Sequence, residues 1–277
     1  HRAAPPAAAA PTGSPTTKPS GASEASKAAG ASEASPSVGP AAGPPAARAH
    51  APSAYRLRPL AGYGGAHNAR APLKVRHEPI LRMDFGRGDR AMVLTFDDGP
   101  DPRYTPHILR TLRKHDVRAM FFVCGEQAEW NRDLLREMAD DGHIIGNHTW
   151  THPLLIRKTP ARVRSEIERT SDLVHDTVGE APAWFRAPYG AWNRCVFRTQ
   201  AELGMEPLAW TVDTTDWKRP GTDTIIRRVL DGAAPGVVVL SHDAGGNRSQ
   251  SVAALRTYLP RLIDKGYRIT LPRPQGV

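Results

Sequence analysis

The feature that most constrains this chain is an alternation. Short apolar runs recur at "AMVLTF" (91–96), "RAMFFV" (118–123), "HIIGN" (143–147), "AWFRA" (183–187), "PLAWTV" (207–212), "GVVVLS" (236–241) and "YRITL" (267–271). Between them lie longer stretches with helical patterning, such as "TPHILRTLRKHD", "TPARVRSEIERTSDLVHDTVG" and "SVAALRTYLPRLIDKG". Several of these carry Thr, Asp or Ser at the start with Pro in the first turn, and end in Gly, which are helix start and stop signals. Strands that alternate with helices build parallel β/α units. Six or seven such units in about 200 residues suit a distorted, incomplete (β/α) barrel of about seven strands better than two separate domains.

The alternation does not begin at residue 1. Residues 1–54 contain no Leu, Ile, Met, Phe, Tyr, Trp or Cys and a single Val, and "GASEAS" occurs at 21–26 and again at 30–35. Such a segment cannot bury enough apolar surface to offset its ordering entropy. The expected division is therefore a disordered Ala/Pro/Ser/Gly-rich tail and linker over 1–75 and one folded domain over 76–277. The chain starts at His1 rather than Met. With a Pro/Ala/Ser/Thr tail, this leads to the expectation of an exported protein, secreted or associated with a cell wall.

The net charge is +9, of which the tail's four basic and two acidic residues supply +2, leaving +7 on the remainder. That balance favours acidic polymers or surfaces as partners. No dense Lys/Arg run with interleaved aromatics is present, so nucleic acid is not an expected partner. No apolar run approaches the ~20 residues of a membrane span. The two cysteines, Cys124 and Cys195, stand in neither a CxxC nor a zinc-ribbon spacing, and whether they pair is not legible from sequence. Nor is the oligomeric state.

The polar residues fall at the carboxyl ends of the apolar runs. Asp97-Asp98 follow the first, His148 and His152 the third, Arg186 and Tyr189 the fourth, Asp213 and Asp216 the fifth, His242 and Asp243 the sixth. In β/α barrels that face gathers the active site. A His-x3-His pair alone is usually incidental, and this one lacks the zincin glutamate, since Thr149 follows the first histidine. Two adjacent carboxylates at a strand mouth repel each other unless a cation is near. Two imidazoles and one carboxylate make a three-ligand metal site with an open position for water, and the second carboxylate then faces that water. Such a ligand set accepts Zn²⁺, Co²⁺, Ni²⁺ or Fe²⁺. An Fe(II) oxygenase centre is the rival from another class, but its HxD pairing with a distant His is absent.

The ordered set "TFDDGP", "HTWTH", "RAPYG", "DTTDW" and "LSHD" closely resembles the NodB-homology polysaccharide deacetylases, carbohydrate esterase family 4, over about residues 88–272. The resemblance implies Asp97 as base and Asp98, His148 and His152 as ligands of a divalent metal, Zn²⁺ by preference with Co²⁺ or Ni²⁺ possible. It implies Arg186 as the partner of Asp97, the Tyr189 backbone N–H as an oxyanion donor, His242 as general acid and Asp213 as holder of its other ring nitrogen. Trp217 and Leu240, with Pro188, would line the substrate pocket. The implied reaction is N-deacetylation of N-acetylglucosamine residues in peptidoglycan or a chitin-like chain. O-deacetylation of a xylan-type polysaccharide and a catalytically dead wall-binding protein are the alternatives. One departure stands out: Leu154 follows "THP", where relatives often carry Asn.

Because residues 1–54 lack core-forming side chains, their deletion is expected to leave the melting temperature and turnover of soluble oligosaccharides nearly unchanged. A fall of more than about 4 °C, the equivalent of roughly 1–2 kcal/mol in a domain of about 200 residues, would show instead that the tail docks.

Overall fold

The structure, a computed structural model, describes residues 70–273. The tail expectation over 1–54 lies outside the described residues. The segment 70–75, assigned above to the linker, is held against the domain: Leu73 N–H donates to Ala201 O at 2.8 Å, and Arg70 pairs with Glu180.

Among the described residues there are eight strands: β1 (Ala91–Asp97), β2 (Met120–Val123), β3 (Ile144–Asn147), β4 (Trp184–Phe185), β5 (Glu206–Pro207), β6 (Val212–Asp213), β7 (Val238–His242) and β8 (Arg268–Ile269). Seven α-helices accompany them: α1 (Thr105–Lys114), α2 (Gly125–Trp130), α3 (Arg132–Asp140), α4 (Pro160–Val178), α5 (Arg194–Glu202), α6 (Thr222–Asp231) and α7 (Ser249–Asp264). All strand pairs are parallel, in the order β5-β4-β3-β2-β1-β7-β6, with β8 beside the start of β1. The expected fifth strand, "PLAWTV", is two short strands with a break at 208–211.

That break explains the curl. β5 and β6 are the two edges of the sheet, yet they are consecutive in the chain. A flat sheet of seven strands would separate its edges by about 29 Å, at about 4.8 Å per strand. The chain from Pro207 to Val212 reaches at most about 18 Å. The sheet must therefore roll up, and the result is a curled half-barrel. Ile80 helps to line the seam: its N–H donates to Pro207 O and its carbonyl accepts from Ala209 N–H, both at 2.8 Å.

Strand alternation then sorts the side chains. Met92, Leu94 and Phe96 of β1, with Phe121 and Val123 of β2, pack against the outer helices. Val93, Met120, Phe122, Trp184, Leu208 and Val238 fill the interior. Thr95 and Asp97 share the parity of Val93, so β1 delivers a hydroxyl and a carboxylate to the inside of the barrel.

Arg186, directly after β4, meets them there with no exposed surface. Its Nη1 donates to Thr95 Oγ1 and to Asp97 Oδ1, each at 2.7 Å. Its Nε donates to Leu208 O at 3.0 Å and its Nη2 to Ala209 O at 2.9 Å. The guanidinium carbon lies 4.1 Å from the Phe122 ring centroid, a cation–π contact. Arg186→Ala is expected to lower unfolding free energy by about 3–5 kcal/mol in urea denaturation, because a buried carboxylate and two barrel carbonyls lose their donor. A loss under about 1 kcal/mol would mean that water re-solvates all three.

Candidate active site

The carboxyl ends of the strands open into a cavity of about 580 Å³, with Asp97, Asp98, His148, His152, Leu240 and His242 in its walls. The expected convergence on one face is therefore met by residues from β1, β3 and β7 and the loops after them.

Asp98, His148 and His152 each offer one ligand atom, and these atoms lie within 4.8 Å of one another. Asp98 Oδ1 stands 3.5 Å from His148 Nε2 and 3.4 Å from His152 Nε2. Two ligands on one tetrahedral ion with bonds of about 2.0–2.1 Å are separated by about 3.3–3.4 Å. The same Asp98 oxygen is buried and has no hydrogen-bond partner. An orphaned carboxylate oxygen equidistant from two imidazole nitrogens fits a divalent cation well. His148 is prepared for ligation: its Nδ1 donates to Arg186 O at 2.7 Å, which leaves Nε2 with its lone pair toward Asp98. Burial, with the neighbouring His152, pushes its pKa down to about 3, so the ring is neutral at physiological pH.

The loops that carry the three candidate ligands are wound against their own preferences. Asp98, Thr149 and His152 take φ of 77°, 71° and 56°. Left-handed backbone at non-glycine residues costs of order 1–3 kcal/mol each and persists only where the surroundings impose it. Gly99 is required for another reason. A Cβ there would stand 2.1 Å from an Asp243 oxygen, so only glycine lets the Asp-Asp turn approach that side chain.

Asp97 is 2% exposed. Burial drives its pKa above the ordinary carboxylate value, against Arg186, which favours the anion. A carboxylate in that balance accepts a proton more readily than a solvated one.

The expected partner of His242 requires a correction. Asp216, not Asp213, holds the ring. His242 Nδ1 lies 2.7 Å from Asp216 Oδ1, and His242 N–H donates to Asp216 Oδ2 at 2.9 Å. Ser251 of α7 donates to that same Oδ2 at 2.6 Å. Asp213 ends β6, and its Oδ1 caps the following turn by accepting Thr215 N–H at 2.7 Å. Thr215 is left-handed and turns the chain, so that the second Asp of "DTTDW" is the one aimed at the histidine. Asp213 lines the cavity without holding the ring. Burial disfavours the imidazolium, but Asp216, backed by Asp98 and Asp97, overcomes it and raises the His242 pKa to about 9. In metal-free protein the His242 ring is accordingly expected to titrate near pH 9 by NMR. Asp216→Asn should bring that midpoint to the ordinary range near 6.5 or below, and Asp213→Asn should leave it in place. The opposite pattern would restore Asp213 as the partner.

The remaining expected residues divide. Trp217 and Leu240 line the cavity, the Trp217 side chain half exposed. Tyr189 is 67% exposed and left-handed, with its ring edge-on to His152 at 4.6 Å. Pro188 is a second correction: it is buried and absent from the cavity wall, and its fixed φ instead starts the tight turn that presents Tyr189. Cys124 and Cys195 are both free, with the Cys124 thiol 3.8 Å from His148 O.

Sequence reasoning missed Thr95, Asn147, Glu166 and Ser251, all buried and all bonded to a site residue or its loop. Glu166 left a signal. It sits among Val163, Ile167 and Thr170 on the buried stripe of α4, where a charge needs partners.

A family profile for polysaccharide deacetylase matches residues 86–208. A chitooligosaccharide deacetylase of Bradyrhizobium sp. (strain ANU 289) is 40% identical over 209 residues, which cover 70% of this chain and 95% of the relative. A peptidoglycan-N-acetylglucosamine deacetylase of Bacillus cereus is 41% identical over 183 residues, 65% of this chain and 66% of that one. Among solved structures, the Bc1960 peptidoglycan N-acetylglucosamine deacetylase superposes with a TM-score of 0.65 at 39% identity, covering 67% of this chain and 87% of that one. The shared half-barrel and the five ordered motifs agree with these matches: the chain belongs to the polysaccharide deacetylase family, the NodB-homology group of carbohydrate esterase family 4.

Proposed function

We propose that this protein is a secreted, Zn²⁺-dependent hydrolase that removes N-acetyl groups from N-acetylglucosamine residues of a cell-wall or chitin-like glycan. The observation that carries the reading is the meeting, in one cavity, of the Asp98–His148–His152 cluster with two separately tuned groups, Asp97 on Arg186 and His242 on Asp216. The names of the relatives, chitooligosaccharide and peptidoglycan-N-acetylglucosamine deacetylase, support the sugar. The excess of +7 outside residues 1–54 supports an anionic wall polymer over a neutral one. The Pro/Ala/Ser/Thr tail supports export.

Asp98, His148 and His152 would hold a divalent cation, which when bound would supply Lewis acidity toward water and the acetyl carbonyl. The chain's own groups do the rest. Asp97 accepts the proton of the attacking water, and Arg186 fixes the direction of its carboxylate. The backbone N–H of Tyr189 donates to the carbonyl oxygen as it gains charge. His242 gives its proton to the departing sugar amine, which is a poor leaving group without one. Asp216 holds the imidazolium in position. Water is consumed, and acetate and a free amino sugar are released.

Chelation should abolish acetate release, and Zn²⁺ or Co²⁺ should restore it. Asp97→Asn should keep its metal while kcat falls about 10²–10⁴-fold, the usual cost of losing an acid–base group. Full turnover in metal-stripped protein, or near wild-type kcat in Asp97→Asn, would sink the mechanism. Acetate release from wall sacculi, chitooligosaccharides and acetylxylan, measured side by side, decides the substrate: a preference for acetylxylan would establish O-deacetylation instead, and no release from any of the three would favour a wall-binding protein.

A further inference from the structure

We infer that Glu166, on α4, is the positioning residue that sets the spacing of His148 and His152, by holding the backbone of the loop between them; this rests on the metal centre proposed above. The side chain is 1% exposed. Its Oε2 accepts Trp150 N–H at 3.0 Å and Thr151 N–H at 2.7 Å, and its Oε1 accepts the Thr151 hydroxyl at 2.9 Å. Arg162, one turn earlier on the same helix, neutralises it at 2.6 Å.

The other side of the loop is held by α2. Gly125 N–H donates to Thr149 O at 2.9 Å, and Glu126 N–H donates to Trp150 O at 3.2 Å. Two further bonds lock the ends: Thr149 N–H to Asn147 Oδ1 at 2.8 Å, and His152 N–H to Thr149 Oγ1 at 3.1 Å. So the carbonyls of 149 and 150 point at α2, and the N–H groups of 150 and 151 point at one carboxylate. A left-handed Thr149 and a left-handed His152 bracket that span. Such a winding turns consecutive N–H groups to one side, and the buried Glu166 carboxylate meets them there.

Without Glu166, two part-buried N–H groups and the Thr151 hydroxyl lose their acceptor. The loop then regains hydrogen bonds by shifting, and a shift displaces the two Nε2 atoms that now flank Asp98 Oδ1. Glu166 touches neither ligand ring in any hydrogen bond, so its effect falls on metal affinity through the backbone.

The test is the Zn²⁺ dissociation constant of the full chain, measured by competition with a chromophoric chelator, beside the melting temperature of the metal-free protein. Glu166→Met, an apolar near-isostere with no acceptor, should raise the dissociation constant about 10–100-fold, the usual effect of losing a group that orients metal ligands. Glu166→Gln keeps one carbonyl oxygen for the two N–H groups and should recover most of that loss. Leu173→Ala, on the buried face of the same helix, should lower the melting temperature and leave the dissociation constant unchanged. Should Glu166→Met fail to fold, Glu166→Leu, which also removes the acceptor, decides in its place: a rise of about threefold or more supports the assignment, and wild-type affinity overturns it. A loss of affinity in Leu173→Ala equal to that in the Glu166 variants also overturns it, by making the effect one of general stability. A wild-type protein that binds no Zn²⁺, Co²⁺ or Ni²⁺ overturns the metal centre and this inference with it. A wild type that binds while both Glu166 variants bind equally tightly overturns this inference alone.

Discussion

The buried guanidinium of Arg186 is the interaction on which fold and site both depend. Its planar fork serves a carboxylate and a hydroxyl on β1 and two carbonyls on the segment that joins the edges of the sheet. A lysine could offer a point charge there, but not four donors in fixed directions. The barrel seam therefore needs the residue that orients Asp97, and Asp97 needs the seam. Even the backbone takes part, since the carbonyl of Arg186 accepts from His148 Nδ1 and fixes the ligand tautomer.

Around this rigid centre the backbone is unusually contorted. Of seven non-glycine residues with positive φ among the described residues, Asp98, Thr149, His152, Tyr189 and Thr215 belong to the cavity or to the turns that build it. At of order 1–3 kcal/mol each, such conformations require over-determined surroundings. The surroundings are visible: the Thr149–His152 span has bonds on both faces, and Thr215 is capped by Asp213. Stability from the parallel sheet and its outer helices is thus spent on presenting short side chains at fixed distances.

What was legible in the sequence was whatever strand alternation and motif order determine. The runs at 91–96, 118–123 and 236–241 became β1, β2 and β7, and Asp97, Asp98, His148, His152, Arg186 and His242 meet in and around one cavity. What was illegible depended on chain direction within a few residues. Asp213 and Asp216 are three apart, and only the turn at Thr215 decides which faces His242. "PLAWTV" has the composition of one strand, but its middle crosses from one sheet edge to the other, and no local pattern encodes that. Pro188 belongs to a motif whose exposed member is its neighbour. Glu166 was missed because helical periodicity reports the buried stripe and not what a charge on that stripe must bond.

The sheet register brings the last two elements together. Asp97 and His242 are direct partners on adjacent parallel strands, β1 and β7, and both face the barrel interior. Left to themselves, a carboxylate and an imidazole so close would form an ion pair, and neither would be available to a substrate. Each is instead bound by something stronger from the opposite side. Arg186 comes from β4, toward one edge of the sheet, and takes Asp97 at 2.7 Å; Asp216 follows β6, at the other edge, and takes His242 at 2.7 Å. One partner keeps the carboxylate an acceptor and the other keeps the imidazole a charged donor. Because the register is parallel and the side-chain period is two, a slip of one residue on either strand would turn one of the pair out toward the helices. The curl of the sheet brings the two edges, with their opposite charges, to the same cavity. Proton acceptor and proton donor can then stand side by side without neutralising each other, which is the condition the proposed reaction sets.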